Sequence, residues 1–343
     1  MPLTTGHKMG GVCLNDVQKA YQRIKSHVHL TPVVTSQFFN KLTGKELFFK
    51  GEQLQKTGSF KARGACNCVL VNKEKNPTVP GIATHSSGNH GQATAYAAGV
   101  AGLPCTVVVP RGTSEVKADA IRSYGARLVY CEPTPQARKD TCAAVAAETG
   151  YAIVHPYDDY NTIAGQGTIA LELLQQVPDL DAVLVAVSGG GMISGIATVV
   201  KELRPECKVI AVEPAGKELG PCLRAGRRLW ADPPRFLSTL ADGCTTQQCG
   251  QLTFPILCRL VEPEVITVTD RQIVDATRLF WERTKHVIEP SAGMVVAAAL
   301  SDQLPADLRR VGVVLCGGNV DLGRLPWPAA SAPQTLVQDG GSS

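Results

Sequence analysis

A lysine amine becomes a nucleophile or a base once its proton is loosened. Lys61 stands in a context that could do this. It lies in the run QKTGSFKARGA, residues 55–65. Gly58-Ser59 reads as a turn and helix cap, which puts Lys61 in the first turn of a helix. The positive end of a helix disfavours an ammonium and lowers its pKa. Taken alone, the same run also suits an ordinary surface lysine. Three glycine clusters stand beside it in kind: Ser86-Ser87-Gly88-Asn89-His90, Ser188-Gly189-Gly190-Gly191-Met192 and Cys316-Gly317-Gly318-Asn319. The second is the best phosphate cradle, because bare glycines expose successive N–H groups at the start of a helix. A plain tight turn would share that spelling. No Gly-Lys-Ser/Thr follows, which disfavours nucleotide hydrolysis. Ser194 stands where a dinucleotide fingerprint needs its third glycine.

The elements that must position these residues follow from the apolar pattern. Strands are predicted at 47–50, 82–84, 105–109, 128–131, 152–154, 182–187, 209–212, 265–268 and 311–315. Several are unbroken apolar runs, as expected of parallel strands covered on both faces. Helices are predicted at 16–27, 60–72, 90–101, 115–124, 136–148, 162–176, 193–203, 270–285 and 291–300. Such alternation argues for an α/β fold with open parallel-type sheets flanked by helices. Each glycine cluster then falls at the carboxyl end of a strand, where open sheets bind ligands. Residues 213–240 read as a loop-rich excursion. The Pro-rich, polar stretch 327–343 reads as a disordered tail.

Composition closes off other classes. The chain has 343 residues, 44% apolar and 19% charged, with net charge +4. No basic run concentrates that charge, so nucleic acid is not an expected partner. No apolar stretch is long enough to span a membrane. The N-terminal MPLTTGHKMGG has no apolar segment, so a cytoplasmic protein is expected. The 12 cysteines lack zinc spacing and read as buried thiols, Cys316 being the exception.

The motifs KTGSFKARGA, SSGNHGQA, SGGGM and CGGNVDL occur in that order. Together they resemble the fold-type II pyridoxal-phosphate enzymes, specifically the branch of serine racemases and serine/threonine dehydratases. Longer stretches such as LFFKGEQLQKTGSFKARGA and WERTKHVIEPSAG resemble the eukaryotic racemases. The likeness runs from about residue 12 to 323.

The resemblance implies a large cofactor domain made of residues 1–80 and 159–326, a small mobile domain 81–158, and a homodimer. It implies that Lys61 holds pyridoxal 5'-phosphate covalently, with Phe60 against the ring. Ser188, Gly189, Gly190, Gly191 and Met192 would cradle the phosphate, Ser188 departing from the usual glycine. Asn89 would meet the ring hydroxyl. Ser86, Ser87, Asn89 and His90 would hold the substrate carboxylate, with Arg138 approaching it. Lys61 and Ser87 would be the acid/base pair on two faces of Cα. Returning the proton on the far face gives racemisation; losing the β-hydroxyl gives a keto acid and ammonia, and the motifs leave both open, along with a non-catalytic binding protein.

Cys316 would face the pyridine nitrogen. A thiol is a weak donor there, and it suits elimination better than a carboxylate would. The run His155-Pro156-Tyr157-Asp158-Asp159-Tyr160 is dehydratase-like and lacks the serines that go with aspartate in relatives. The same resemblance places Mg2+ or Ca2+ on Glu213 and the carbonyl of Lys217. The third ligand position holds Leu219, which cannot ligate, and Glu218 lies one place off. ATP as an effector would fall on Ser36, Lys56, Thr57, Gln92 and Lys285, with Gln37 and Phe38 changed from the pattern.

Overall fold

The computed structural model describes residues 11–325; the tail expected at 327–343 lies outside the described residues. Among the described residues ten strands are present: β1 (Val33–Thr35), β2 (Glu46–Gly51), β3 (Ile82–His85), β4 (Cys105–Pro110), β5 (Arg127–Cys131), β6 (Ala152–Ile153), β7 (Ala182–Ala186), β8 (Lys208–Pro214), β9 (Ile266–Val268) and β10 (Arg310–Leu315). They form two sheets, ordered β1-β2-β10-β7-β8-β9 and β5-β4-β3-β6. Every neighbouring pair is parallel except β1–β2. This is the expected α/β class.

The sequence explains the burial. All five residues of β7, AVLVA, are buried, as a central parallel strand requires when helices cover both faces. The helix Pro290–Ala299 packs on β7 and β10, while Tyr160–Gln176 and Gly191–Leu203 pack on each other. The core of the smaller sheet is built largely of Ala, Val and Cys from the helices Lys61–Lys75 and Asn89–Ala101 and from β3 and β4. Small side chains let those helices lie close. Ten of the 12 cysteines are buried here and elsewhere as compact apolar fillers.

Each predicted strand and each predicted helix has its counterpart. The sequence reading missed β1 and the helices Gln37–Thr43, Leu219–Ala225 and Thr253–Leu260. One local expectation is corrected. The helix begins at Lys61, with Phe60 in the cap position and no side-chain cap. Ser59 is extended. It bridges Gly317 through the backbone, and its hydroxyl has no partner. The amide of Phe60 donates to the Cys316 carbonyl at 3.0 Å. The start of this helix is therefore set by the end of β10 rather than by a capping serine.

Candidate active site

A cavity of about 610 Å³ opens between the two sheets at the carboxyl ends of β3, β7 and β10. All three glycine clusters contribute to its wall.

Lys61 reaches it from the first helical position. The preceding turn contains Thr57, a non-glycine residue at φ 59°, and Gly58 at φ 69°. A Cβ on Gly58 would come within 2.5 Å of the Asn319 side chain. The Lys61 amine donates to the Pro156 carbonyl at 2.6 Å and lies 5.1 Å from the centroid of the Phe60 ring. Burial draws its pKa down to about 8. The direction matches the sequence expectation, but the dominant cause is desolvation. A fraction of the amine is thus unprotonated near neutral pH and able to take a proton.

The glycine loop follows β7. Gly190 is at φ 95° and caps the helix Gly191–Leu203. Added Cβ atoms at Gly189 and Gly190 would lie 2.3 Å from the Tyr157 ring and 2.8 Å from the Thr253 hydroxyl. The Gly189 carbonyl accepts from the Gly250 amide at 3.0 Å and from the Thr253 hydroxyl at 2.7 Å. The Ser188 carbonyl faces the Cys249 thiol. With these carbonyls turned outward, the N–H groups of the first helical turn, which have no partner within the helix, are left for an anion. The loop fits a phosphate, and only glycine threads between Tyr157 and the cavity. Ser188 and Met192 line the same wall.

Ser87 lines the cavity with Ser86 and Asn89; the Ser86 hydroxyl accepts from the Gly88 amide. Asn89 donates to both oxygens of Glu289 at 3.0 Å and accepts from Asn319 at 2.8 Å, while Asn319 also donates to the Thr57 carbonyl at 2.7 Å. Burial pushes the Glu289 carboxyl well above the usual carboxylate range. His90 is buried. Burial holds its ring well below its ordinary pKa, and the ring pairs with the Val154 carbonyl at 3.1 Å. That bond ties it to the sheet. Arg138 donates to the His85 carbonyl at 3.3 Å, and its guanidinium lies 5.6 Å from the Phe236 ring centroid. No carboxylate pairs with it among the described residues. Cys316 is buried and its thiol is pushed far above the usual range by burial, so it stays neutral. Sequence reasoning assigned no role to Glu289, Tyr157 or Asn319. The stretch containing Glu289 carried only a family likeness.

The metal expectation does not fit. Leu219 is fully buried and apolar. Glu218 points its side chain outward, exposed, at φ 62°. The Lys217 carbonyl accepts from the Trp230 indole at 2.6 Å. Both oxygens of Glu213 are engaged, by the Leu219 amide at 2.9 Å and the Thr267 hydroxyl at 3.1 Å. Of the residues expected to hold a nucleotide, Gln92 lines the main cavity. Ser36 caps the helix Gln37–Thr43. Lys56 and Thr57 lie in the turn before Lys61, and Lys285 closes the helix Asp270–Thr284.

Known proteins match this chain over most of its length. Serine racemase of Homo sapiens is 47% identical over 313 residues, 90% of this chain and 91% of that protein. The β-hydroxyaspartate dehydratase of Paracoccus denitrificans (strain Pd 1222) is 44% identical over 313 residues, 91% and 98% of the two chains. The crystal structure of a pyridoxal 5'-phosphate-dependent aspartate racemase superposes with TM-score 0.92 at 51% identity, covering 94% of this chain and 100% of that one. The profile of pyridoxal-phosphate dependent enzymes matches residues 24–317. An amine whose pKa is drawn down by burial, a glycine loop shaped for phosphate, and a match over most of the chain lead to one assignment: the chain belongs to the pyridoxal-phosphate dependent enzymes.

Proposed function

We propose that the protein interconverts L- and D-serine and also eliminates water from serine to give pyruvate and ammonia. The observation that carries this is the shared cavity of Lys61 and Ser87, two proton-handling groups of different chemistry beside one phosphate loop. When bound, pyridoxal phosphate supplies an electron sink for charge left at Cα. It would be held by Lys61, Phe60, Asn89 and the loop Ser188–Met192. The Pro156 carbonyl orients the Lys61 amine, which takes or returns the Cα proton. Ser87 would exchange the proton on the other face, and without that exchange elimination is the remaining outcome. The neutral thiol of Cys316 would be a weak partner for the cofactor's ring nitrogen, which would favour elimination. A serine/threonine ammonia-lyase with little racemisation is the alternative. A cytoplasmic homodimer with ATP as an effector belongs to the same reading.

The test is to supply L-serine, then D-serine, and follow the opposite enantiomer together with pyruvate. Both products are expected. Ser87→Ala should cut inversion by about 10²-fold or more while pyruvate formation persists. No inversion by the native enzyme would leave the lyase alone.

Arg138 favours a second reading. A guanidinium in the cavity without a carboxylate partner suits a substrate with two carboxylates. Aspartate and 3-hydroxyaspartate should then be turned over better than serine, and Arg138→Met should remove that preference. Equal loss with serine would assign Arg138 to the α-carboxylate.

A further inference from the structure

In the turn where the resemblance puts a divalent cation, this chain carries a lysine whose side chain is buried. Lys217 follows β8 and is fully buried. Its amine donates to the Thr246 and Gln247 carbonyls, each at 2.8 Å, and lies 6.0 Å from the Trp230 ring centroid. Carbonyl oxygens around a cation are what a hard metal ion would also collect. The Gln247 side chain donates back to the Gly216 carbonyl and accepts from Arg235, so the 216–217 turn and the 246–247 strand of loop are tied twice. Glu213 is buried alongside.

From Gln247 the chain runs directly to the phosphate loop. Arg228 holds the Cys249 and Gly250 carbonyls at 2.6 and 3.1 Å. The Cys249 thiol meets the Ser188 carbonyl, and the Gly250 amide donates to Gly189. Holding 246–247 therefore holds the outward-facing carbonyls of the cradle.

We propose that Lys217 is an internal cation that replaces the divalent metal of this site and positions the glycine loop through residues 246–250. The enzyme then needs neither Mg2+ nor Ca2+, whichever amino acid its cavity turns over. Lys217 is a positioning residue: it touches neither the cavity's lysine nor its serines.

The experiment uses the holoenzyme, dialysed against EDTA and titrated with MgCl2 or CaCl2. Thermal midpoint, heat of binding and activity are read together. The native protein should show no heat at this site, no midpoint shift and unchanged activity. In Lys217→Ala/Leu219→Asp, which vacates the ammonium and supplies a carboxylate, cation should raise the midpoint by roughly 3 °C or more and tighten cofactor retention. Lys217→Met should release cofactor faster, with no rescue by cation. EDTA inactivation of the native enzyme reversed by Mg2+ or Ca2+ would overturn the proposal. So would a folded double variant blind to cation, or a Lys217→Met protein that keeps its cofactor as the native one does. Should the variants fail to fold, the native titration decides alone.

Discussion

Lys61 and Arg63 lie two residues apart on one helix and meet opposite surroundings. Arg63 is fully buried and saturated. It pairs with both oxygens of Glu52 at 2.7 and 2.8 Å and both oxygens of Glu172 at 2.7 and 2.8 Å. Lys50 adds a bond to Glu172 at 2.7 Å, and Thr31 one to Glu52 at 2.6 Å. Two cations and two anions cancel, and burial alone would lower the Arg63 pKa, yet the carboxylates raise it. Lys61 has no carboxylate within ion-pair distance among the described residues, only the Pro156 carbonyl. The buried cation is fixed in its charged form, while the partly buried one is left able to lose its proton. Fixed charge anchors the helix, and the unpaired amine at its tip is free for chemistry.

The comparison can be broken at either end. Lys61→Ala should abolish turnover, by at least about 10³-fold, and remove the cofactor absorbance, with urea unfolding of the cofactor-free protein no easier than in the native chain at neutral pH. A large stability loss in this variant would mean that the amine is structural after all.

Arg63→Met should do the reverse. It leaves Glu52 and Glu172 buried with too little positive charge, at a cost of about 3–5 kcal/mol, read as a lower urea midpoint. Any protein that folds should still bind cofactor.

The pH dependence sharpens the contrast. The Lys61 amine titrates near 8 in the fold against 10.5 ordinarily. Between those values the unfolded chain holds a proton that the folded chain has shed. Stability of the cofactor-free protein should therefore rise with pH across about 8 to 10.5, and the rise should vanish in Lys61→Ala. Glu289 works in the lower window. Its carboxyl is raised to about 8 from 4.5, so stability should fall as pH climbs from 4.5 to 8, and Glu289→Gln should flatten that slope.

The smallest effect is expected on the surface. Arg278 and Glu282 pair at 2.8 Å with both side chains about half exposed. Arg278→Ala should cost under about 0.5 kcal/mol, measured by the same urea titration. A larger loss would show that exposure does not set the scale used for Arg63.

How much of this the sequence displayed depended on the span of the interaction. Buried strands such as β7 announce themselves by five consecutive apolar residues. β1 escaped because three edge residues after Pro32 carry no period. The helix Thr253–Leu260 escaped because Pro255 sits in its first turn and its residues are mostly apolar. The glycine loop and Lys61 were visible as contiguous motifs. Asn89 with Glu289, and Asn319 with Thr57, join positions 200 and 262 apart, which no local pattern reports. Lys217 entered the sequence reading only through its carbonyl, because the direction of its amine is set by the fold.

The four residues 155–158 link the lysine to the glycine loop. His155 receives the Asp158 amide, Pro156 holds the Lys61 amine, Tyr157 presses on Gly189, and Asp158 accepts from the amides of Gln251 and Leu252 at 2.9 and 2.8 Å. A substitution here is pleiotropic. Retuning substrate choice through Tyr157 also disturbs the seat of the anion and, one peptide bond away, the lone pair of the base. Engineering this stretch therefore calls for coordinated changes at Gly250 and Thr253, and single replacements should trade selectivity against cofactor grip.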